Sequence, residues 1–196
     1  MPSPKFIFVR HGQAEHNVAF HEKGEEAFHD KAYEDAPLTS KGLEQAKATA
    51  LALQSYEIGH IWCSPLSRCI QTAEEILEET SAQEIYFHDN LLECQGGGHV
   101  CNQRKAKREL KKTFKFENMD YLAELPAYYS KRETLTETAF RMRMLVLFLA
   151  DLYKNVSEDK YLCIVSHETA ILALTGKSLK NAEYVVLSLE DCLRLS

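Results

Sequence analysis

The sequence contains no stretch approaching the ~18 consecutive apolar residues of a membrane-spanning helix, so no membrane helix is expected. It also lacks the start of a secretory leader. Pro2-Ser3-Pro4-Lys5 precedes only a short apolar run, against the roughly 7–15 apolar residues such a leader carries. The expectation is a soluble, cytoplasmic protein with no membrane partner. No CxxC pair occurs, and Cys63, Cys69, Cys94, Cys101, Cys163 and Cys192 are irregularly spaced. That argues against a disulfide framework and leaves free thiols as the reading. Cys94, His99 and Cys101 cluster, but their spacing fits no common zinc pattern, so no metal site is assigned. Positive charge is not in excess: 23 Lys and Arg stand against 29 Asp and Glu, a net charge of −6. General nucleic-acid binders are usually basic, so no nucleic-acid partner is expected. Internal repeats, low-complexity tracts and coiled-coil patterns are missing as well, and with them any pointer to an oligomeric state.

What is present suits one domain. The chain has 196 residues, 45% of them hydrophobic, enough for a sizeable core. Phe6–Val9 is an unbroken run of β-formers. Residues 18–37 are polar and irregular and read as a loop or a short helix. Residues 38–53 read as a helix capped by Thr39 or Ser40, with Leu43, Ala46, Ala50 and Leu53 at helical spacing. Residues 58–64 read as a strand, followed by a helix that Pro65 opens. Residues 84–88 read as a third strand and 161–167 as the strongest one. A long helix covers 137–153, a shorter one 168–176 with Gly176 as its stop, and a last strand 183–190. Residues 94–135, with Gly96-Gly97-Gly98 and a basic run at 104–115, read as an inserted segment of loops and short helices. Strands alternating with helices predict an α/β sandwich around a mostly parallel sheet.

Such sheets bind ligands beyond the carboxyl ends of their strands. One rim would then collect Arg10 and His11 after the first strand, Ser64 to Arg68 after the second, Glu93 after the third, and Ser166-His167 after the fourth. Any one of these residues is ordinary on a protein surface; their convergence is not. Two arginines offer forked donors matched to phosphate oxygens. A neutral imidazole is a competent nucleophile, and a carboxylic acid can protonate a leaving alkoxide and later activate water. Phosphoryl transfer needs mainly positioning and charge neutralisation.

Five blocks carry a resemblance: "RHGQAEHN" (10–17), "DAPLTSKGLEQAK" (35–47), "SPLSRCIQTAEEI" (64–76), "LLE" (91–93) and "IVSHETAIL" (164–172). In this order they resemble the histidine phosphatase superfamily, also called the phosphoglycerate-mutase-like family. The resemblance covers most of the chain except about 95–135. Three residues such as RHG occur by chance, whereas RHG with SPLxRxxQTA and a late SH after an apolar strand is specific. It implies a three-layer α/β/α sandwich, a small phosphorylated substrate, and no cofactor. It also implies roles. His11 would be the nucleophile that becomes phosphohistidine, and Arg10, Arg68 and His167 would complete the phosphate pocket. Glu93 would be the proton donor. Asn17 would help bind the phosphoryl group, and Gln13 and His16 would lie near enough to touch substrate. Gly12 fits a place where backbone must turn or approach closely. Arg10, Arg68 and a protonated His167 around His11 would disfavour its imidazolium form and keep it nucleophilic.

Some features depart from that pattern. Glu168 stands where the family often has glycine. It suits a helix N-terminus, although its charge would also oppose a dianion or orient His167, and it rivals Glu93 as proton donor. "LTGKS" (174–178) imitates the tail of a phosphate-binding loop, but Ile171 replaces the required first glycine and the preceding segment reads as helix. The run 104–115 reads as a solvated face or, alternatively, as a basic flank of the pocket built around Lys105, Arg108 and Lys112. Phe114 and Phe116 are too few for a stacking platform for nucleic acid. Three functions remain open: a metal-independent phosphomonoesterase, a phosphomutase, and a non-catalytic phosphate-binding module. A mutase would hold its intermediate away from water, and the short segment after the last strand favours the hydrolase.

Overall fold

The structure is a computed structural model that describes residues 4–114, 116–125, 132–155 and 160–194. Five strands form one sheet: β1 (Lys5–Arg10), β2 (Ile58–Cys63), β3 (Ile85–Phe87), β4 (Tyr161–Ser166) and β5 (Tyr184–Ser188). Their order is β3-β2-β4-β1-β5, with β1 to β4 parallel and β5 antiparallel at the edge beside β1. The central strands are buried on both faces, which is why they read as continuous apolar runs rather than alternating ones.

Successive side chains of a strand point to opposite faces, and the two cores follow that rule. Ile7, Val9, Ile61, Cys63, Cys163 and Val165 pack against α3 (Ser40–Leu53) and α4 (Ser67–Glu79) through Ala50, Leu53, Ile70, Ala73 and Ile76. Phe6, Phe8, Trp62, Leu162 and Ile164 pack on the other side against α6 (Leu135–Leu152) and α7 (Glu168–Thr175) through Met142, Leu145, Leu149, Ile171 and Leu174. The result is the expected three-layer α/β/α sandwich. No described helix is long and apolar enough to cross a membrane.

Local chemistry sets the element ends. Thr39 caps α3 by accepting from the Gly42 amide at 3.0 Å. α4 begins two residues after Pro65, at Ser67, whose amide and hydroxyl both donate to Asp35 at 2.7 Å. Asp35 thus caps a helix 32 residues away. Gly176 closes α7 with φ 67°, the left-handed position that favours glycine. The helix that precedes "LTGKS" removes the phosphate-loop reading. The strand expected at 183–190 stops at Ser188, because Leu189–Arg194 forms α8, capped by a reciprocal Ser188–Asp191 pair.

Residues 18–37 are more ordered than the sequence indicates. They hold most of α1 (Glu15–Lys23) and all of α2 (Glu26–His29), whose buried residues are only His16, Ala19 and Ala27. Between Glu93 and α6 the chain leaves the sheet, makes a tight turn at Val100–Asn102 and a short helix α5 (Lys107–Thr113). Lys115 and residues 126–131 of the expected insertion lie outside the described residues.

Candidate active site

The carboxyl ends of four parallel strands finish in register. Arg10 of β1 pairs with Ser166 of β4, and Cys63 of β2 faces Val165 and Phe87. Beyond this edge opens a cleft of about 1180 Å3, lined among others by Arg10, His11, His16, Asn17, Arg68, Glu93 and Glu168.

The backbone of His11 leaves β1 and donates its amide to the Ser166 carbonyl at 3.1 Å. Its side chain is 3% exposed. Nδ1 lies 2.7 Å from the Gly12 carbonyl oxygen. A carbonyl only accepts, so the ring proton sits on Nδ1 and the lone pair on Nε2. Gly12 sits where two backbones touch. A Cβ there would collide with the Gly42 carbonyl, and one on Gly42 would collide with the Gln13 carbonyl. The Gly12 amide donates to Thr72 of α4 at 3.1 Å, which ties the loop after β1 to that helix. Burial, reinforced by Arg68, His16 and Arg10, holds the His11 pKa well below the usual imidazole value. The ring is neutral at neutral pH.

His167 lies behind His11 rather than on the cleft surface. The ring centroids are 5.2 Å apart, edge to face. Its Nε2 is 2.8 Å from the Ser64 hydroxyl and 3.5 Å from the Cys69 sulfur. Burial and Arg68 hold the pKa of this imidazole well below the usual value too, which disfavours the protonated His167 considered from sequence.

Arg68 is 1% exposed and rigidly held, with Nη1 donating to the Cys101 carbonyl at 2.8 Å and Nη2 to Asn102 Oδ1 at 3.0 Å. Arg10 donates to the Leu179 carbonyl at 2.8 Å and pairs with Glu168 at 2.7 Å. The Nε of each arginine is buried and has no partner among the described residues. A third such group is His16 Nδ1. The Asn17 carbonyl oxygen accepts from the Ala14 amide at 2.9 Å, which turns the Asn17 amide nitrogen toward His16 Nε2 at 3.1 Å. His16 Nε2 therefore accepts and Nδ1 carries the proton. Burial and Arg68 push the His16 pKa down to about 2. Arg10, Arg68 and His16 line the cleft, and each keeps one buried N–H without a partner among the described residues. An oxyanion is the ligand that fits such a set.

Glu93 sits at the N-terminus of α7. Its carboxylate accepts from the Cys94, Ala170 and Thr169 amides at 2.7, 3.0 and 3.2 Å. Burial raises its pKa, and the amide donors and Arg68 offset this only in part. A carboxyl so placed holds its proton to higher pH than an exposed one. Behind it, Arg141 of α6 donates to the Asn90 and Glu93 carbonyls at 2.6 and 3.1 Å, and is itself clamped by Glu133 at 2.6 Å.

Of the residues singled out from sequence, Arg10, His11, His16, Asn17, Arg68 and Glu93 meet at the cleft, with His167 packed behind. Gln13 does not line it. Its amide nitrogen and carbonyl are engaged by Gln45 and Thr39, and its side-chain oxygen accepts from the Thr39 hydroxyl at 3.0 Å. Glu168 opens α7, as its helix-terminus reading has it, and also pairs with Arg10. The basic run does not flank the cleft: Lys105, Arg108, Lys111 and Lys112 are exposed and none lines it. Arg104 instead is buried against Asp89 at 2.6 Å. The sequence reading passed over Asn102, Gln95 and the Arg141–Glu133 pair. These are polar residues in weakly patterned segments, and nothing local marks them. Among the described residues no group of three or more His, Cys, Asp or Glu side chains is placed to hold a metal ion.

The family model of the histidine phosphatase superfamily, branch 1, matches residues 6–186. A "Probable phosphoglycerate mutase" of Photorhabdus laumondii is 29% identical over 171 residues, 87% of this chain and 73% of that protein. The ecdysone phosphate phosphatase of Bombix mori, solved in complex with tungstate, superposes with a TM-score of 0.66 at 16% identity, over 93% of this chain and 88% of that one. The phosphoserine phosphatase of Entamoeba histolytica, in complex with 3-phosphoglyceric acid, does so with a TM-score of 0.60 at 23% identity, over 93% and 89%. At these identities the two structures establish a shared fold.

Proposed function

The chain belongs to the histidine phosphatase superfamily, and on that footing we propose that it hydrolyses small phosphomonoesters by transferring their phosphoryl group to His11. The observation that carries this reading is the Nδ1–H bond from His11 to the Gly12 carbonyl. It leaves a neutral ring with its lone pair on Nε2, beside two arginines whose buried Nε atoms have capacity for phosphate oxygens.

In the first step Nε2 of His11 attacks phosphorus. The P–N bond forms as the P–O bond to the leaving group breaks, and the Glu93 carboxyl gives its proton to the departing oxygen. Arg10 and Arg68 neutralise the charge on the transferring oxygens, with His16 and Asn17 at the same wall. His167, hydrogen-bonded to Ser64, packs against the His11 ring and holds its orientation. In the second step the Glu93 carboxylate takes a proton from water, the water oxygen attacks phosphorus, the P–N bond breaks, and inorganic phosphate leaves. No metal is assigned to either step. We take residues 94–135 as an insertion into a single domain, whose turn at Val100–Asn102 fixes Arg68.

A mutase reading draws on the Photorhabdus relative, in which the phosphoryl group would pass to a second hydroxyl instead of water. The cleft favours water, because it is wide and its Glu168 wall is exposed. The test is turnover of a panel of phosphomonoesters with chelator present and His11→Ala protein as blank. A glycerol acceptor is included, and phosphate release is measured against phosphoryl transfer. Absence of both turnover and acid-labile phosphoenzyme in the unsubstituted protein would overturn the enzyme reading.

A further inference from the structure

From the His11 side of the cleft a row of rings leads outward. The centroids of His11 and His16 are 6.0 Å apart, those of His16 and Phe28 6.2 Å, Phe28 and His99 4.8 Å, and His99 and His29 5.3 Å. All five residues line the cleft. The row joins two parts of the chain that are distant in sequence: α1 and α2 supply His16, Phe28 and His29, and the insertion supplies His99. It is also braced from behind. Phe20 stacks on Phe28 at 4.8 Å with planes 7° apart. His99 lies folded over Gly97, where any side chain would have to displace the imidazole. Burial and His29 lower the His99 pKa, and burial lowers that of His16, which favours the uncharged form of both rings. Glu25 lies beside it.

The cleft far exceeds the needs of a phosphoryl group. The space beyond the phosphoryl site is bounded on one side by the ring row, His16 and Phe28 first. Fixed aromatic edges and faces favour flat, apolar partners through offset or edge-to-face contact. We propose that Phe28 and His99 form a leaving-group site for a planar aromatic group, which makes aryl or arylmethyl phosphates the preferred substrate class. This rests on the phosphatase reading of the pocket, with the phosphoryl end at His11, Arg10 and Arg68.

Non-hydrolysable phosphonates test the site by binding alone. Benzylphosphonate, cyclohexylmethylphosphonate and methylphosphonate share one anionic head. They differ in having a flat aromatic, a puckered apolar or almost no leaving-group mimic. Isothermal titration should give benzylphosphonate an affinity about tenfold above that of methylphosphonate, with the cyclohexyl compound between them. In Phe28→Leu and His99→Ala the benzyl-to-methyl ratio should fall severalfold. Phe28→Leu keeps the apolar volume against Phe20, so a change in ratio there reports the lost ring rather than a collapsed helix. Equal affinities for all three compounds overturn the aromatic site and leave the phosphate pocket standing. Cyclohexylmethylphosphonate binding as tightly as benzylphosphonate also overturns it, since flatness would then play no part. If none of the three binds, the phosphate pocket falls and the leaving-group site with it.

Discussion

His11 and Gly12 are bonded to each other twice over: by the peptide link, and by the Nδ1–H that the ring returns to the Gly12 carbonyl at 2.7 Å. The second bond sets the tautomer, and with it which nitrogen keeps its lone pair. On the proposed mechanism the ring supplies the attacking atom; the His16 imidazole at the same cleft is held neutral too, but its Nε2 lone pair already accepts from Asn17. His11→Ala should therefore lower kcat by about a thousandfold or more. Phosphate release from 4-nitrophenyl phosphate, with chelator present, measures it. Retention of a tenth of the activity would assign the nucleophile elsewhere.

The proposed mechanism gives Glu93 the acid role, so its loss should matter in proportion to how badly the leaving group needs a proton. Glu93→Gln should reduce kcat/KM for alkyl phosphates by about 10²–10⁴-fold and for 4-nitrophenyl phosphate much less. The pH dependence has a definite sign. The folded pKa is raised, so the proton is kept above the usual carboxyl range and lost as pH climbs through that raised value. kcat/KM for alkyl phosphates should then fall on the alkaline side, and this limb should be missing from Glu93→Gln. A limb shared by both proteins would remove Glu93 from the assignment.

Arg141 reaches Glu93 only through its backbone, yet it fixes where the carboxyl starts. It donates to the carbonyls of Asn90 and Glu93 and is held by Glu133. Burial alone would raise the Glu133 carboxyl; the hydrogen bonds and charge of Arg141 outweigh it and lower the pKa. Arg141→Met removes the charge partner of Glu133, leaving a largely buried carboxylate with only the Gln95 amide and Thr138, and should cost about 3 kcal/mol of stability, read from the urea midpoint. Arg141→Lys keeps the charge without the fork. It should spare more stability while lowering kcat for alkyl phosphates about tenfold with little change in KM. Equal losses on alkyl and aryl substrates would show a structural role only.

The strands and the long helix were legible because burial writes a period into the chain: unbroken apolar runs at Phe6–Val9 and Leu162–Val165, helical spacing from Phe140 to Leu152. α1 and α2 were not, since between them they bury little beyond His16, Ala19 and Ala27 and so carry no stripe. α8 had a readable signal in Ser188-Leu-Glu-Asp191, a capping pattern hidden behind the more obvious strand. The strand-end residues His11, Arg68, Glu93 and His167 follow from topology, which brings parallel strands to a common edge. What holds them does not follow: Asn102 on Arg68, Glu168 on Arg10 and Arg141 behind Glu93 are contacts across 34, 158 and 48 residues. Pairings of that range obey no local period. Gln13 misled for the converse reason. It adjoins the motif in sequence, but the chain turns its side chain toward Thr39.

Gly12 and Gly42 meet backbone to backbone, and neither has a positive φ, so closeness rather than handedness demands glycine. Gly42→Ala puts a methyl group into the Gln13 carbonyl, and neither backbone can yield without moving the loop that carries His11. It should destabilise the protein by about 1–3 kcal/mol and lower kcat as well. Gly24→Ala is the control: nothing lies within 4 Å of its Cβ, although its φ of 68° adds some strain. Thermal midpoints and turnover of the two variants decide. A Gly42→Ala protein with unchanged turnover would show that the loop has room to move.

His11, His16 and His167 are each buried and held neutral, and together they tie stability to pH. In the unfolded chain an imidazole takes up a proton near pH 6.5, whereas in the folded protein these three do so only at much lower pH. Between those limits the unfolded state binds more protons, so stability is full above pH 6.5 and is lost as pH falls below it. Each histidine contributes about 1.4 kcal/mol per pH unit once its unfolded form is fully protonated, which makes the limiting slope about 4 kcal/mol per unit. Asp35 and Glu93 act in the opposite sense, since their folded pKa values are raised, and they offset part of the loss as pH falls. Urea midpoints should therefore drop steeply as pH falls below 6.5. His16→Asn, which removes one of the three titrating rings, should reduce the limiting slope by about a third. An unchanged slope in that variant would mean that His16 titrates in the folded protein as it does in water.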